Sequence, residues 1–146
     1  MIEDFEARVG TWLRRKWRLK RLIGIGGMAA VYEAEHKIGR QAAIKLLRPE
    51  IAADGTVRDR FEQEALATNR VGHAGVVEIL DIDETDDGQP YLVMELLEGQ
   101  TLADLCEREP PKLSKLLDYV DQTLDVLVAC HRKGVIHRDI KPENLF

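Results

Sequence analysis

The run His137-Arg138-Asp139-Ile140-Lys141-Pro142-Glu143-Asn144, near the end of the chain, decides how the rest is read. It is a polar loop, fed from Gly134 by the short apolar lead Val135-Ile136. Taken alone, such a run also fits a solvated, charge-rich turn around a proline. Its weight comes from what stands upstream.

Just before Gly134, Leu116, Leu117, Val120, Leu124, Leu127 and Val128 recur at i, i+3, i+4 spacing. The pattern predicts a helix from Ser114, read as its N-cap, to about Lys133, with one face buried and Gly134 as its stop. Thr101 reads as a second N-cap, and Gly99 marks a change of character, so a boundary is expected between Glu98 and Thr101. Before that boundary, alternation takes over. Trp17 to Ile23, Val31 to Ala34 and Gln41 to Leu47 predict a three-strand antiparallel meander, closed by Pro49. A helix follows from the capping-box-like Thr56-Val57-Arg58-Asp59 to about Val71. Val76 to Ile82 and Tyr91 to Leu96 read as two further strands, joined by a turn over Glu84-Thr85-Asp86-Asp87-Gly88.

Three features of this sheet and the helix after its third strand carry chemistry. Gly24-Ile25-Gly26-Gly27-Met28-Ala29-Ala30-Val31 lies between two strands, where glycines let backbone amides meet phosphate oxygens without a Cβ in the way. A plain hairpin turn has the same glycines, and a dinucleotide fold would place a helix straight after them. Ala42-Ala43-Ile44-Lys45 then sets an ammonium among apolar neighbours, which is costly unless it is paired. Glu64, midway along the following helix, is the candidate partner, with a solvated glutamate as the plainer alternative.

With these pieces in order, the sequence resembles the protein kinase superfamily, and within it the bacterial serine/threonine kinases of eukaryotic type. The glycine loop, the Ala-x-Lys strand, the helix glutamate, the Val93-Met94-Glu95 hinge and the His-Arg-Asp loop follow one another at family-like intervals from about Trp17 to Phe146. The resemblance implies a protein-kinase-like α+β fold. Residues 1–16 would be an N-terminal extension and 17–98 the ATP-binding small lobe of antiparallel sheet and helix. Residues 99–146 would be the first helices and catalytic loop of a helical large lobe, which is truncated.

It also implies roles. Gly24, Gly26, Gly27, Met28, Ala29, Ala30 and Val31 would cover the ATP phosphates, with Ile23, Ile25 and Phe146 also in the nucleotide site. Val31 and Ala43 would sandwich the adenine, Met94 would stand behind it, and the backbone of Glu95 and Leu97 would bond its edge. Lys45, held by Glu64, would contact the α and β phosphates. Asp139 would orient or accept the proton of the attacking hydroxyl, Lys141 would steady the transferring phosphoryl group, and Asn144 would ligate Mg2+. Lys141 favours serine or threonine residues of proteins as acceptors and, with Arg138, disfavours a small-molecule kinase. Arg138 is the residue that in the family commonly pairs with a phosphorylated activation loop.

Two departures stand out. Ala29 occupies the place of the third glycine, for which slightly altered loop mobility with binding retained is expected. After Phe146 there is no Asp-Phe-Gly segment or activation loop, so the 146-residue chain by itself is expected to be inactive and to self-associate through an uncovered helix face. A non-catalytic nucleotide-binding or partner-binding module is the alternative.

The bulk properties agree with a soluble transferase domain. With 45% hydrophobic and 32% charged residues, the chain can bury a core. Its 26 acidic against 21 basic residues give a formal charge of -5, which disfavours nucleic acid or an anionic membrane as partner. The basic cluster from Arg14 to Arg21 alternates with Trp17 and Leu19, and reads as a solvated strand face more than an anion patch. Two isolated cysteines, Cys106 and Cys130, and no apolar stretch of signal or membrane-spanning length point to the cytoplasm.

Overall fold

A computed structural model describes residues 5–146. The chain forms two compact units: the first runs to Leu66 and resumes at Glu78–Leu96, and the second takes Ala67–Val77 and Leu97–Phe146.

The first unit is built on a six-stranded antiparallel sheet of β1 (Trp12–Leu13), β2 (Trp17–Ile25), β3 (Ala29–His36), β4 (Gln41–Leu47), β5 (Ile79–Glu84) and β6 (Pro90–Met94), in the order β1-β2-β3-β4-β6-β5. β1 and β5 are its outer strands. Even so, Lys16 Nζ lies 3.2 Å from Asp83 on β5, and Arg14 lies 3.4 Å from Asp86, so the sheet curls until its margins meet. The tight turn between β1 and β2 holds Arg14 and Arg15 at positive φ, 49° and 53°.

Alternation sorts side chains onto two buried faces. Leu19, Ala30, Tyr32, Ala34, Ala42, Ile44, Leu46, Tyr91 and Val93 fill the inside of the curl. On the other face, Leu47 and Leu92 join Ala52, Phe61 and Ala65. There α1 (Pro49–Ala52) and the first part of α2 (Gly55–Val71) cover the sheet. Burying those large side chains stabilises by about 1.5–3 kcal/mol each before entropy is subtracted. Inside the curl, Tyr32 donates to the Phe5 carbonyl at 3.0 Å and Tyr91 donates to Asp83 at 3.2 Å. Burial, and for Tyr91 the Asp83 carboxylate, raise both phenols.

Two expectations are corrected here. α2 opens on Asp54, whose carboxylate accepts the Thr56 amide at 2.9 Å, so Thr56 is already inside the helix. The strand expected over Val76 to Ile82 is shifted to Ile79–Glu84, where polar Asp83 is drawn in by Lys16 and Tyr91. The basic cluster is the solvent-facing strand face that was expected, and it is largely neutralised in place: Arg21 pairs with Glu33 at 2.7 Å and Lys20 with Glu35 at 3.1 Å.

In the second unit, α3 (Leu102–Arg108) begins with a capping box between Thr101 and Asp104. α4 spans Leu113–Arg132, capped at Lys112 with no side-chain bond, so Ser114 lies in the first turn. Pro110 and Pro111 separate α4 from α3, because a residue before proline is held out of the helical region, which here applies to Glu109 and Pro110. Gly134, at φ 72°, closes the helix as expected, with Gly134 N–H to His131 O at 2.9 Å and Val135 N–H to Cys130 O at 2.9 Å.

The expected apolar stripe of α4 is two stripes. Leu116, Tyr119, Val126, Leu127 and Cys130 turn inward, whereas Leu113, Leu117, Val120, Leu124 and Val128 are exposed. Among the described residues no helix is long and apolar enough to cross a membrane.

The loop before β5 is fastened to α4. His73 Nδ1 accepts the Gly75 amide at 2.9 Å, and its Nε2 lies 3.0 Å from Asp125. A Cβ on Gly75 would collide with Val126 Cγ2, a stiff β-branched side chain that cannot swing away. Gly75→Ala is therefore expected to cost about 1–3 kcal/mol through overpacking. A urea midpoint equal to wild type would reject this.

Candidate active site

Strand register gathers one set of the expected residues on a single sheet face. Lys45 stands opposite Val31 on β3 and Leu92 on β6, and Ala43 stands opposite Glu33 and Met94. Side chains two apart on a strand share a face. Val31, Ala43, Lys45 and Met94 therefore look the same way, towards the face that α2 covers. Lys45 Nζ sits 5.7 Å from the centre of the Phe61 ring on α2. Glu64 lies three residues further along that helix, on the neighbouring stretch of the same side.

The glycine loop is the turn from Ile25 to Ala29. Its Gly26 amide donates to Ala29 O at 2.8 Å, so that amide is spent closing the turn. The backbone amides of Gly27 and Met28 stand at the tip. None of Gly24, Gly26 and Gly27 has a positive φ, and a Cβ at Gly27 would meet nothing within 4 Å. Ile23, Ile25 and Met28 are exposed along the loop. Ala29, the departure from the glycine pattern, is buried at the start of β3, and Ala30 is buried beside it.

At the end of β6, the Glu95 amide donates to Glu78 O at 3.0 Å, and its carboxylate accepts the Glu78 amide at 2.8 Å. Sequence reading also missed Arg48. Its guanidinium donates to Gly26 O at 2.8 Å, and its amide donates to Met28 O at 2.9 Å.

The other set lies in the second unit. Asn144, on the short 3-10 turn Pro142–Asn144, donates from Nδ2 to Asp139 O at 2.8 Å and to Asp139 Oδ2 at 3.0 Å. Lys141 Nζ lies 3.3 Å from the same Oδ2. His137 Nδ1 accepts the Asp139 amide at 3.3 Å, and Arg138 takes a left-handed φ of 65°. The Lys141 bond and then the Asn144 bond hold the Asp139 carboxyl below its ordinary value. The loop's tail returns to α3, with Leu102 N–H donating to Leu145 O at 2.7 Å. Phe146 packs over Gly99, where a Cβ would approach the ring to 3.2 Å, and Leu97 is exposed nearby in sequence. Among the described residues, no three His, Cys, Asp or Glu side chains cluster to hold a metal.

Comparison with known proteins bears on the family and the fold. The sequence profile of the protein kinase domain matches residues 17–146. Serine/threonine-protein kinase Pkn1 of Myxococcus xanthus is 40% identical over 131 residues, which is 89% of this chain and 19% of that protein. Serine/threonine-protein kinase PknA of Mycobacterium tuberculosis is 38% identical over 144 residues, covering 94% of this chain and 33% of that protein. The crystal structure of the M. tuberculosis PknI kinase domain matches with a TM-score of 0.74 at 28% identity, over 93% of this chain and 55% of that one. The chain thus spans about a fifth to a third of the length of these curated relatives.

A curled antiparallel sheet followed by helices, with these neighbours, is the protein-kinase-like fold. The chain belongs to the protein kinase domain family, among relatives named as serine/threonine-protein kinases.

A depressed Asp139 pKa keeps that group ionised at any pH above the ordinary carboxylate range. Its pairing is lost only as pH falls through the lowered value. Lys141→Ala removes the largest cause, so the Asp139 midpoint, read by carboxyl NMR, is expected to move up towards the ordinary value. An unmoved midpoint would show that Lys141 does not control this group.

Proposed function

We propose that this chain supplies the nucleotide-holding and phosphoryl-transfer residues of a protein serine/threonine kinase that uses ATP and Mg2+. The observation that carries the reading is the Asp139 carboxylate, oriented by both Lys141 and Asn144 at 3.3 and 3.0 Å.

The chemistry follows from that arrangement. A carboxylate held below its ordinary pKa is a weak base, so Asp139 acts chiefly by aligning a serine or threonine hydroxyl, and it takes the proton late, as the oxygen–phosphorus bond forms. Lys141, already beside Asp139, follows the transferring phosphoryl group with its positive charge. Lys45, half-buried beside Phe61, supplies the ammonium for the α and β phosphates, with Glu64 as its counter-charge. Val31 and Ala43 close on the adenine, with Met94 behind it. The Glu95 amide is engaged by Glu78, so its carbonyl and the Leu97 backbone remain for the adenine edge.

The glycines support the same reading. Gly24 and Gly27 need neither a left-handed φ nor room inside the fold, so the reason for a missing side chain lies outside the chain, where phosphate oxygens approach. Asn144 fits the metal role because its Nδ2 is spent on Asp139, which leaves Oδ1 for a hard cation. Bound magnesium would neutralise phosphate charge.

The expected result is that Asp139→Asn in the full-length protein lowers phosphorylation by roughly a hundredfold or more while ATP binding persists. Lys45→Met is expected to lower turnover comparably and to weaken ATP binding as well. Undiminished transfer in either variant rejects the assigned role.

The exposed row Leu113, Leu117, Val120, Leu124 and Val128 favours a second reading, a partner-binding module that self-associates through α4 without transfer. That reading expects Asp139→Asn to change nothing. A monodisperse monomer in size-exclusion chromatography would count against self-association. Free Cys106 and Cys130 fit the reducing cytoplasm proposed for the chain.

A further inference from the structure

Arg48 is bound to the glycine loop at two points and to the N-terminal segment at a third. Its amide donates to Met28 O at 2.9 Å and its Nη2 donates to Gly26 O at 2.8 Å, so one residue grips both sides of the loop tip. Its guanidinium lies 5.0 Å from the centre of the Phe5 ring. Its Nε is sealed from solvent with no hydrogen-bond partner among the described residues. A planar cation in that setting depends on the ring face for its position.

Phe5 is itself fixed. Its carbonyl accepts the hydroxyl of Tyr32, which is fully buried in the curl, and its ring packs against the same core. The chain of contacts runs Tyr32, Phe5, Arg48, Gly26, and every link lies within the first unit. Tyr32, Phe5 and Arg48 have no part in the transfer chemistry assigned above, and only Gly26 belongs to the nucleotide site.

We propose that Arg48 is a positioning residue for the glycine loop, and that Phe5 holds Arg48 in place, so that the segment before the sheet sets the affinity for the nucleoside triphosphate. This rests on the kinase reading above. A loop whose Gly26 and Met28 carbonyls are pinned presents its Gly27 and Met28 amides already ordered, and the ligand need not supply that ordering when it binds. Phe5 reaches the loop through Arg48. Withdrawing the ring, by moving the N-terminal segment or by engaging it with another molecule, loosens the loop without touching the catalytic residues.

The test uses the full-length protein and four variants: Arg48→Met, Arg48→Lys, Phe5→Leu and Phe5→Tyr. Arg48→Met and Phe5→Leu are each expected to raise KM for ATP roughly fivefold to tenfold, with kcat at saturating ATP within about twofold of wild type. Arg48→Lys falls between, because an ammonium lacks the flat face that stacks on the ring. Phe5→Tyr keeps the face and is expected to keep the wild-type KM.

Hydrogen exchange is measured in parallel without nucleotide. The Gly26 amide is expected to exchange on the order of tenfold faster in Arg48→Met and Phe5→Leu, at unchanged melting temperature, and not in Phe5→Tyr. An unchanged KM and unchanged Gly26 exchange in Phe5→Leu overturn the proposal, as does an equal loss in Phe5→Tyr. If the wild-type protein binds no ATP, the kinase reading fails instead, and the exchange data alone decide whether Arg48 orders the loop.

Discussion

The register of β4 is the constraint on which the rest depends. Both faces of this strand are buried, with Ala42, Ile44 and Leu46 inside the curl and Ala43 and Leu47 towards α2, so only one alignment keeps Lys45 off the fully apolar side. A slip of one residue would drive an ammonium between Tyr32 and Val93 or between Ala30 and Tyr91, where nothing could solvate it. The same alignment sets Ala43 opposite Met94 and Lys45 opposite Val31. Core packing and site assembly are thus one specification, enforced by the penalty for burying a charge.

The second unit reaches order by different means. Its reactive loop has little apolar content and is held by polar bonds that converge on Asp139, from Lys141, Asn144 and His137. Those bonds explain why a fully exposed carboxylate is nonetheless oriented and acidified. The loop's two ends are anchored on helices. The Gly134 closure of α4 leads in, and the bond from Leu102 to Leu145 fastens the exit.

Much of this was legible in the sequence because it rests on local periodicity. Gln41 to Leu47 reads as a strand from its own alternation, Gly134 reads as a helix stop, and the family motifs stand out in order. What was illegible depends on partners far along the chain. Asp54 takes the capping role that Thr56 suggested, since both are good caps and only the chain's path chooses between them. Asp83 sits within a strand because Lys16 reaches it across the curl and Tyr91 stands opposite it on β6. α4 shows one stripe in its sequence, yet its sides meet different surroundings, so Leu116 and Leu117 part company. β1, two residues long, carries no periodic signal at all. Arg48 is one more basic residue after a strand until the fold brings Phe5 and Gly26 to it.

The hairpin form of the glycine loop has an electrostatic consequence. Where such loops open onto a long helix, aligned peptide dipoles add a partial positive charge at the anion. Here the loop runs from β2 directly into β3, so no macrodipole is aimed at its tip. The loop can offer direction through its amides but little net potential, and the full counter-charge for a polyanion must come from side chains such as Lys45. Recognition by this unit is therefore geometric at the loop and coulombic at the strand, two contributions that ionic strength separates because it screens only the second strongly.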